Sequence, residues 1–401
     1  MLVITLLACE QPSLPVDPPE LGGLPRFVLE AAEDPDEDPY SNDWIPTTWD
    51  LVQGDTLRSG YAGVHVRGNS TREYDKKSYA FETWSADGDE ADVAFFDMPE
   101  EEDWVLRGPF SDKSLMRNAL VYGWSRDIGR YAPRTHFTEL VINDDYRGLY
   151  TFTEKIKQDA GRVDLDDGDF LLRHDWLYTD APVIETSRCE DAVLVEWPKE
   201  PTSSQLEAAR AQLDVVEAAL ASGDYGAVVD VDSFVDHMLL VELARNVDAY
   251  VLSTTLVLQD GVLRMGPVWD FNGSLGNADY FEAWESEGWH YNNPEFPGDN
   301  PEAFCWWQML LDDDAFQERR KERWREHRAG PLSDEALMAS IDANAAQLRP
   351  AVDANFERWP VLGEYVWPND EGAEDRESWE EELAYLKGWV LARAEWMDSR
   401  L

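Results

Sequence analysis

The chain has 401 residues, enough for two or three domains or for one large unit with two lobes. Hydrophobic residues make up 43% and aromatic residues 12%, including 18 tryptophans, so the chain can bury a large core and is not globally disordered. With 82 acidic against 34 basic residues the net charge is −48, which argues against nucleic acid as a partner, because a phosphate backbone requires clustered lysine and arginine.

Residues 1–9, MLVITLLAC, form a short apolar run that ends at Cys9. The run resembles a bacterial lipobox, in which the signal is cleaved before a cysteine that is then lipidated; a truncated start or a buried strand is the alternative, because no basic segment precedes it. The proline-rich residues 10–25 then read as a tether. We expect an exported protein of the cell envelope that touches the membrane only through a lipid on Cys9. Cys189 and Cys305 are the remaining cysteines, and an exported protein permits one disulfide between them.

The front portion, residues 26–195, is predicted to be a β-rich N-terminal lobe. Within residues 63–82, GVHVRGNSTREYDKKSYAFE, alternating apolar positions predict two strands joined by a glycine-containing turn. Such a turn can lie over phosphates. Four bases supply positive charge there: Arg67, Arg72, Lys76 and Lys77. The alternative is a polar hairpin with exposed bases, and the segment lacks the pattern of an ordinary P-loop.

A helix and a second pair of strands complete the front portion. Ser111, Asp112 and Lys113 are predicted to open the helix, which ends near Gly129. The last strand of this portion carries Glu154 on a face that is otherwise apolar. A carboxylate in such a position usually lies at an exposed rim, but it can instead pair with a buried base.

The back portion, residues 196–401, is predicted to be a helical, tryptophan-rich C-terminal lobe. Ser204 and Glu207 form the capping box expected for its first helix. A second helix, from about Asp232 to Arg245, is apolar on nearly all sides and is therefore expected at the centre. Further helices are predicted over residues 304–327, 334–356 and 379–399, with their tryptophans packed between them.

Two carboxylates flank a predicted β-hairpin in residues 244–276. Asp248 precedes the hairpin, Asp260-Gly261 forms its turn, and Asp270 with Asn272 follows its second strand. This order brings Asp248 and Asp270 to one end of the hairpin, where they can hold a metal ion or place a base beside one. The alternative is that each aspartate is only a cap or turn residue.

Together these features predict an α+β fold with two lobes and a cleft between them, the basic cluster in front and the acidic pair behind. Six histidines, none near a nucleophile in an elbow motif, give little support to a hydrolase triad.

Six segments, in a consistent order from residue 63 onward, resemble the spore-coat CotH kinase family. They are VRGNSTREYDKKSYAF, WVLRGPFSDKSLMRNAL, ELVINDDYRGLYTFTEKI, NVDAYVLSTTLVLQDG, GPVWDFNGSLGNADY and NFERWPVLGEYVWPN. The resemblance implies an atypical protein-kinase-like fold that uses ATP with Mg²⁺ or Mn²⁺ to phosphorylate protein side chains.

Carried over to this sequence, the resemblance makes Asp248 the catalytic aspartate and Asp270 a metal ligand. Lys77 becomes the phosphate-binding lysine, with Lys76 as its rival. Ser253 stands where an ordinary kinase loop has the asparagine for a second metal ion, and Asn272 can compensate with its amide oxygen.

We therefore expect an exported kinase that phosphorylates serine or threonine of a surface protein, with Lys77, Lys76 and Arg67 near the nucleotide and Glu154 orienting the lysine. The alternative is a weak or inactive surface adhesin on the same scaffold. Relatives often carry bases where this chain has Val251 and Gln259, and their loss favours that alternative.

Overall fold

A seven-stranded closed barrel forms the front of the molecule in the computed structural model, which describes residues 23–177, 181–298 and 301–401. Its strands are β1 (Arg26–Ala31), β2 (Ile45–Gln53), β3 (Thr56–Arg67), β4 (Ser78–Trp84), β5 (Asp103–Arg107), β6 (Thr135–Ile142) and β7 (Asp145–Glu154). Their order is β1-β2-β3-β4-β5-β7-β6, and a parallel pairing of β1 with β6 closes the barrel. Helix α1 (Arg117–Asp127) connects β5 to β6.

The interior of the barrel is filled by aromatic side chains from alternating strand positions. Phe27, Phe81, Trp104 and Phe152 lie on strands, and Phe95 comes from the connection between β4 and β5. All five are buried and linked to one another by ring contacts. Alternation produces this core because successive side chains of a strand point to opposite faces. A closed barrel was not predicted from the sequence.

A second, five-stranded antiparallel sheet lies behind the barrel. It contains β8 (Phe170–His174), β9 (Val183–Glu185), β10 (Ala192–Trp197), β11 (Thr254–Gln259) and β12 (Val262–Met265) in the order β12-β11-β8-β10-β9. The predicted hairpin is therefore confirmed. Asp260 and Gly261 both have positive φ (52° and 77°), as a two-residue turn of this kind requires.

The sheet takes strands from both sides of residue 195, so the predicted boundary at 195/196 does not separate strands from helices. The mixed α+β composition is confirmed, and the two-lobed layout stays a prediction.

Six further helices follow in the described part of the chain. They are α2 (Ser203–Ser222), α3 (Val231–Ala244), α4 (Cys305–Leu311), α5 (Asp314–Arg328), α6 (Asp334–Arg358) and α7 (Trp379–Asp398). Helix α3 is buried on all sides beyond its first turn, as predicted. The capping box of α2 was predicted two residues too late, because Thr202 and Gln205 form it. The helix predicted over 304–327 is two helices, broken where the Asp313 side chain caps the start of α5.

The described residues contain a disulfide bond and no candidate membrane-spanning helix. A disulfide joins Cys189, between β9 and β10, to Cys305 at the start of α4. Within the residues described, no helix combines the length and apolar character needed to cross a membrane.

Candidate functional site

A cavity of about 1000 Å³ opens where the ends of barrel strands β3 and β5 face the segments that follow α3 and β12. The barrel contributes Arg67 and Arg107 to its lining, and the opposite wall contributes Asp248, Asp270 and Asn272. The turn that carries Arg67 and the acidic pair are far apart in the sequence, but both line this cavity.

The turn after β3 forms the rim of this cavity. Gly68 has a φ of 117°, and a β-carbon at this position would lie 2.0 Å from the Thr71 hydroxyl. Glycine thus allows the chain to leave Arg67 at the cavity and turn back at once into the short helix Ser70–Glu73.

Asp248 reaches the cavity because α3 ends abruptly. Arg245 takes a left-handed conformation (φ 46°) that terminates the helix. Asn246 then links the two acidic segments: its Oδ1 accepts from the Asp248 N–H at 3.3 Å, and its Nδ2 donates to the Asp270 carbonyl at 3.1 Å.

The carboxyl group of Asp248 is perturbed by its surroundings. Burial raises its pKa from 3.8 to about 7, and the negative charges of Asp270 and Asp175 act in the same direction. A carboxylate with a pKa near the working pH can accept a proton from an acceptor hydroxyl and release it again.

Asp270 is held in an unusual backbone conformation by its neighbours. Its φ is 64°, in the left-handed region that aspartate tolerates only with support. The support comes from α1: the Asp270 N–H donates to the Tyr122 hydroxyl at 3.2 Å, and the next N–H, of Phe271, donates to Asn118 Oδ1 at 2.7 Å. The Asp270 carboxylate pairs with Arg107 at 3.0 Å across the cavity.

The oxygen ligands on the acidic wall of the cavity suit a hard divalent cation. Asp270 and Asn272 offer a carboxylate and an amide oxygen two residues apart, and Asp248 and Asp175 line the same cavity. The Asp270 side chain is 31% exposed, and no described residue donates to its Oδ2. These residues therefore fit Mg²⁺ or Mn²⁺.

A second group of acids, Glu101, Glu102 and Asp103, is close enough to resemble a metal site. Lys157 contacts all three, and Arg162 pairs with Glu101. Their charges are already balanced by protein bases, away from the cavity.

The positive wall is formed by arginine. Arg67 and Arg107 lie against the indole of Trp269, with guanidinium-to-ring distances of 5.5 and 4.2 Å, and Tyr122 stacks on the same ring. Burial lowers the pKa of Arg67 to about 10, with Arg107 acting in the same direction, so Arg67 stays charged at neutral pH. No described acceptor lies within hydrogen-bond distance of the Arg67 guanidinium, which leaves it available for an anion.

Neither lysine proposed for phosphate lies at the cavity. Lys77 donates to the carbonyl of Arg72 at 2.7 Å and is not part of the lining. Lys76 is buried, 1% exposed, where its ammonium donates to the Leu149 carbonyl at 2.6 Å and to Asn355 Oδ1 at 2.7 Å. Burial lowers the pKa of Lys76 well below its usual value. Of the three bases predicted to lie near the nucleotide, Arg67, Lys76 and Lys77, only Arg67 lines the cavity with the acidic pair.

Glu154 was predicted to orient the phosphate-binding lysine, and this prediction is wrong. The carboxylate is fully buried and does pair with a base, but that base is Arg134, at 2.5 Å. Tyr131 also donates to it at 3.1 Å. Glu154 is therefore satisfied away from the cavity and contacts neither Lys76 nor Lys77.

Sequence reasoning missed several polar residues of the lining, among them Arg107, Asn118, Arg173 and Asp175. Asn118 was missed because the helix was predicted to start too early, at residues 111–113. Helix α1 begins at Arg117, after a loop held by the Asp112 carboxylate, and this later start places Asn118 in its first turn. A base at the end of a buried strand, as in WVLRG, was the available signal for Arg107.

A model of the family described as CotH kinase protein matches residues 64–397, most of the chain. A comparison with curated proteins found no match. The matched range includes every residue placed at the cavity except Asn42.

Proposed function

The chain belongs to the CotH kinase family, and from that premise we propose that it transfers the γ-phosphoryl group of ATP to a serine or threonine hydroxyl of a protein. One observation carries the proposal: Asp248 and Asp270 line the same cavity as the unpaired guanidinium of Arg67. Phosphoryl transfer depends mainly on positioning and on neutralising charge, and this arrangement provides both.

Each residue has a defined task in the proposal. Asp248 orients the acceptor hydroxyl and takes its proton as the oxygen attacks phosphorus. Asp270 and Asn272 hold Mg²⁺ or Mn²⁺, which when bound neutralises the phosphate oxygens. Arg67, and not Lys77, is the base proposed to contact the phosphates.

The pKa of Asp248 gives this task a pH dependence. Because the pKa is raised to about 7, the proton-accepting form is half populated near pH 7 and increases as the pH rises through this value. We expect the transfer rate to rise over this range and then to level off.

The direct test is transfer of labelled γ-phosphate to the protein itself and to a panel of serine- and threonine-containing peptides. Asp248→Asn is expected to lower transfer at least about 100-fold while nucleotide binding is retained. Asp270→Asn is expected to weaken metal-dependent nucleotide binding itself. Full turnover by Asp248→Asn would show that another group accepts the proton.

Nucleotide binding separates this function from that of a surface adhesin. At a hundredfold excess of ATP and metal over the dissociation constant, the folded state gains about 2.7 kcal/mol, visible as a rise in melting temperature. No shift at millimolar ATP with either Mg²⁺ or Mn²⁺ would favour the adhesin.

We also propose that the protein acts at the cell surface, anchored by a lipid on Cys9. Cys9 and residues 10–22 of the tether lie outside the described residues. The disulfide between Cys189 and Cys305 supports export, since such bonds persist mainly in oxidising compartments. Cys9→Ser should release the protein from the membrane fraction or block its processing, whereas unchanged fractionation would contradict the anchor.

A further inference from the structure

The ion pair between Arg107 and Asp270 crosses the candidate site. Arg107 lies at the end of β5 in the barrel, and Asp270 lies 163 residues later, beyond β12. Its Nη1 is 3.0 Å from Asp270 Oδ1, and only 13% of the arginine side chain is exposed. The guanidinium also lies 4.2 Å from the ring of Trp269, which restricts its movement.

The ion pair uses one of the two oxygens of the Asp270 carboxylate. Arg107 holds Oδ1 of Asp270, while Oδ2 has no described donor and the side chain remains 31% exposed. A divalent cation bound at Oδ2 would therefore lie within a few ångströms of a fixed positive charge. In a partly buried site that repulsion weakens binding substantially, because the effective dielectric constant is well below that of water.

Phosphates would reverse the balance of charge. Arg107 lines the cavity beside Arg67, whose guanidinium has no described acceptor. A triphosphate placed between these arginines and Asp270 would give the guanidinium groups anionic partners and would bring ligand oxygens of its own to the cation.

We propose that Arg107 suppresses the binding of free divalent metal at Asp270 and makes metal binding depend on nucleotide, so that the protein takes up the two together. The inference rests on the proposed function and extends it to the order of ligand binding. Arg107 is in this respect a positioning residue, which acts through Asp270.

If the Arg107–Asp270 ion pair only held the barrel to the back of the molecule, its loss would have different effects on ligand binding. Loss of such a tie would loosen the cavity and weaken the binding of metal and of nucleotide alike. The proposal instead requires effects of opposite sign: tighter binding of metal alone and weaker binding of nucleotide.

The test measures free Mn²⁺ by electron paramagnetic resonance, with and without a non-hydrolysable ATP analogue. In the wild-type protein the analogue should tighten Mn²⁺ binding roughly tenfold or more, an ordinary size for coupling between two ligands. Arg107→Gln should bind Mn²⁺ alone about fivefold tighter or better, bind the analogue more weakly, and lose most of the coupling. Arg58→Gln is the matched control, since it removes the same charge from an exposed position on β3, outside the cavity.

The possible results are distinguishable. Unchanged or weaker binding of Mn²⁺ alone by Arg107→Gln would overturn the inference while leaving the kinase proposal intact. A wild-type protein that binds neither Mn²⁺ nor the analogue would remove both. If Arg107→Gln does not fold, Arg107→Lys decides: it keeps the charge without the planar fork, so the coupling should persist, and its loss would show that charge is not the cause.

Discussion

Asn118 accepts a hydrogen bond from the backbone N–H of Phe271, 153 residues later, at 2.7 Å. The bond joins the first turn of α1 to the segment that carries Asp270, directly after the residue with positive φ. The two sequence segments SDKSLMRN and WDFN are therefore parts of one structure, in which α1 fixes the direction of the Asp270 carboxylate.

Asn118→Leu tests this link. The leucine has a similar volume but no acceptor, so the buried N–H of Phe271 loses its partner, at a cost of about 1–3 kcal/mol of unfolding free energy. Nucleotide binding in the presence of Mg²⁺ should weaken as well. Asn118→Asp keeps an acceptor oxygen and is expected to lose less stability, as measured by chemical denaturation. Equal losses in the two variants would argue against this hydrogen bond as the cause.

Asp248→Asn should make the protein more stable at neutral pH even as it removes catalysis. The pKa of Asp248 is about 7 when folded and near 3.8 when unfolded. Between these values the folded state retains a proton that the unfolded state has released, so this residue lowers stability as the pH rises from about 4 to 7. The penalty is then complete above pH 7. Asparagine cannot ionise, and we expect a gain of about 4 kcal/mol at pH 8.

The same gain should vanish at pH 4, where the aspartate is largely protonated in the folded state. Thermal unfolding of both proteins at the two pH values provides the measurement. A stability difference that did not vary with pH would contradict the assigned cause.

Separate substitutions of Arg67, Lys77 and Lys76 should distinguish effects on nucleotide binding from effects on the stability of the fold. Arg67→Ala is expected to weaken nucleotide binding roughly tenfold or more, because a partly buried guanidinium is lost from the cavity. Lys77→Ala should change it little, since its ammonium is bonded to the Arg72 carbonyl outside the cavity. Lys76→Met should alter the melting temperature, because Lys76 joins β7 to α6, but not the nucleotide affinity. A large loss of affinity in Lys77→Ala would contradict the role assigned to Arg67.

Local patterns predicted the parts of the site that depend on neighbouring residues. The Asp260-Gly261 turn and the apolar runs on either side specify a hairpin, and a hairpin brings its two ends together. The approach of Asp248 to Asp270 follows from that geometry. The burial of α3 was likewise visible, because its sequence has no polar face.

Residues whose direction depends on distant pairing could not be assigned in the same way. Lys76 and Lys77 are adjacent, yet one bonds to Leu149 and Asn355 and the other to Arg72. Both lysines lie in the segment before β4, and sequence alone does not reveal which of two neighbouring side chains will meet partners that are distant in the chain. The closure of the barrel by β1 and β6 is also a pairing of segments more than 100 residues apart.

Loss of the disulfide between Cys189 and Cys305 is expected to destabilise the folded protein. The bond spans 116 residues and ties the loop between β9 and β10 to the start of α4. Cross-linking a loop of this length restricts the unfolded chain, an effect of about 5 kcal/mol in the usual entropy model. The double variant Cys189→Ala/Cys305→Ala should therefore unfold at a lower temperature than the oxidised protein, and the wild-type protein treated with reductant should match it. Equal melting temperatures with and without reductant would mean that the two cysteines are not paired in solution, which would also remove the structural support for export.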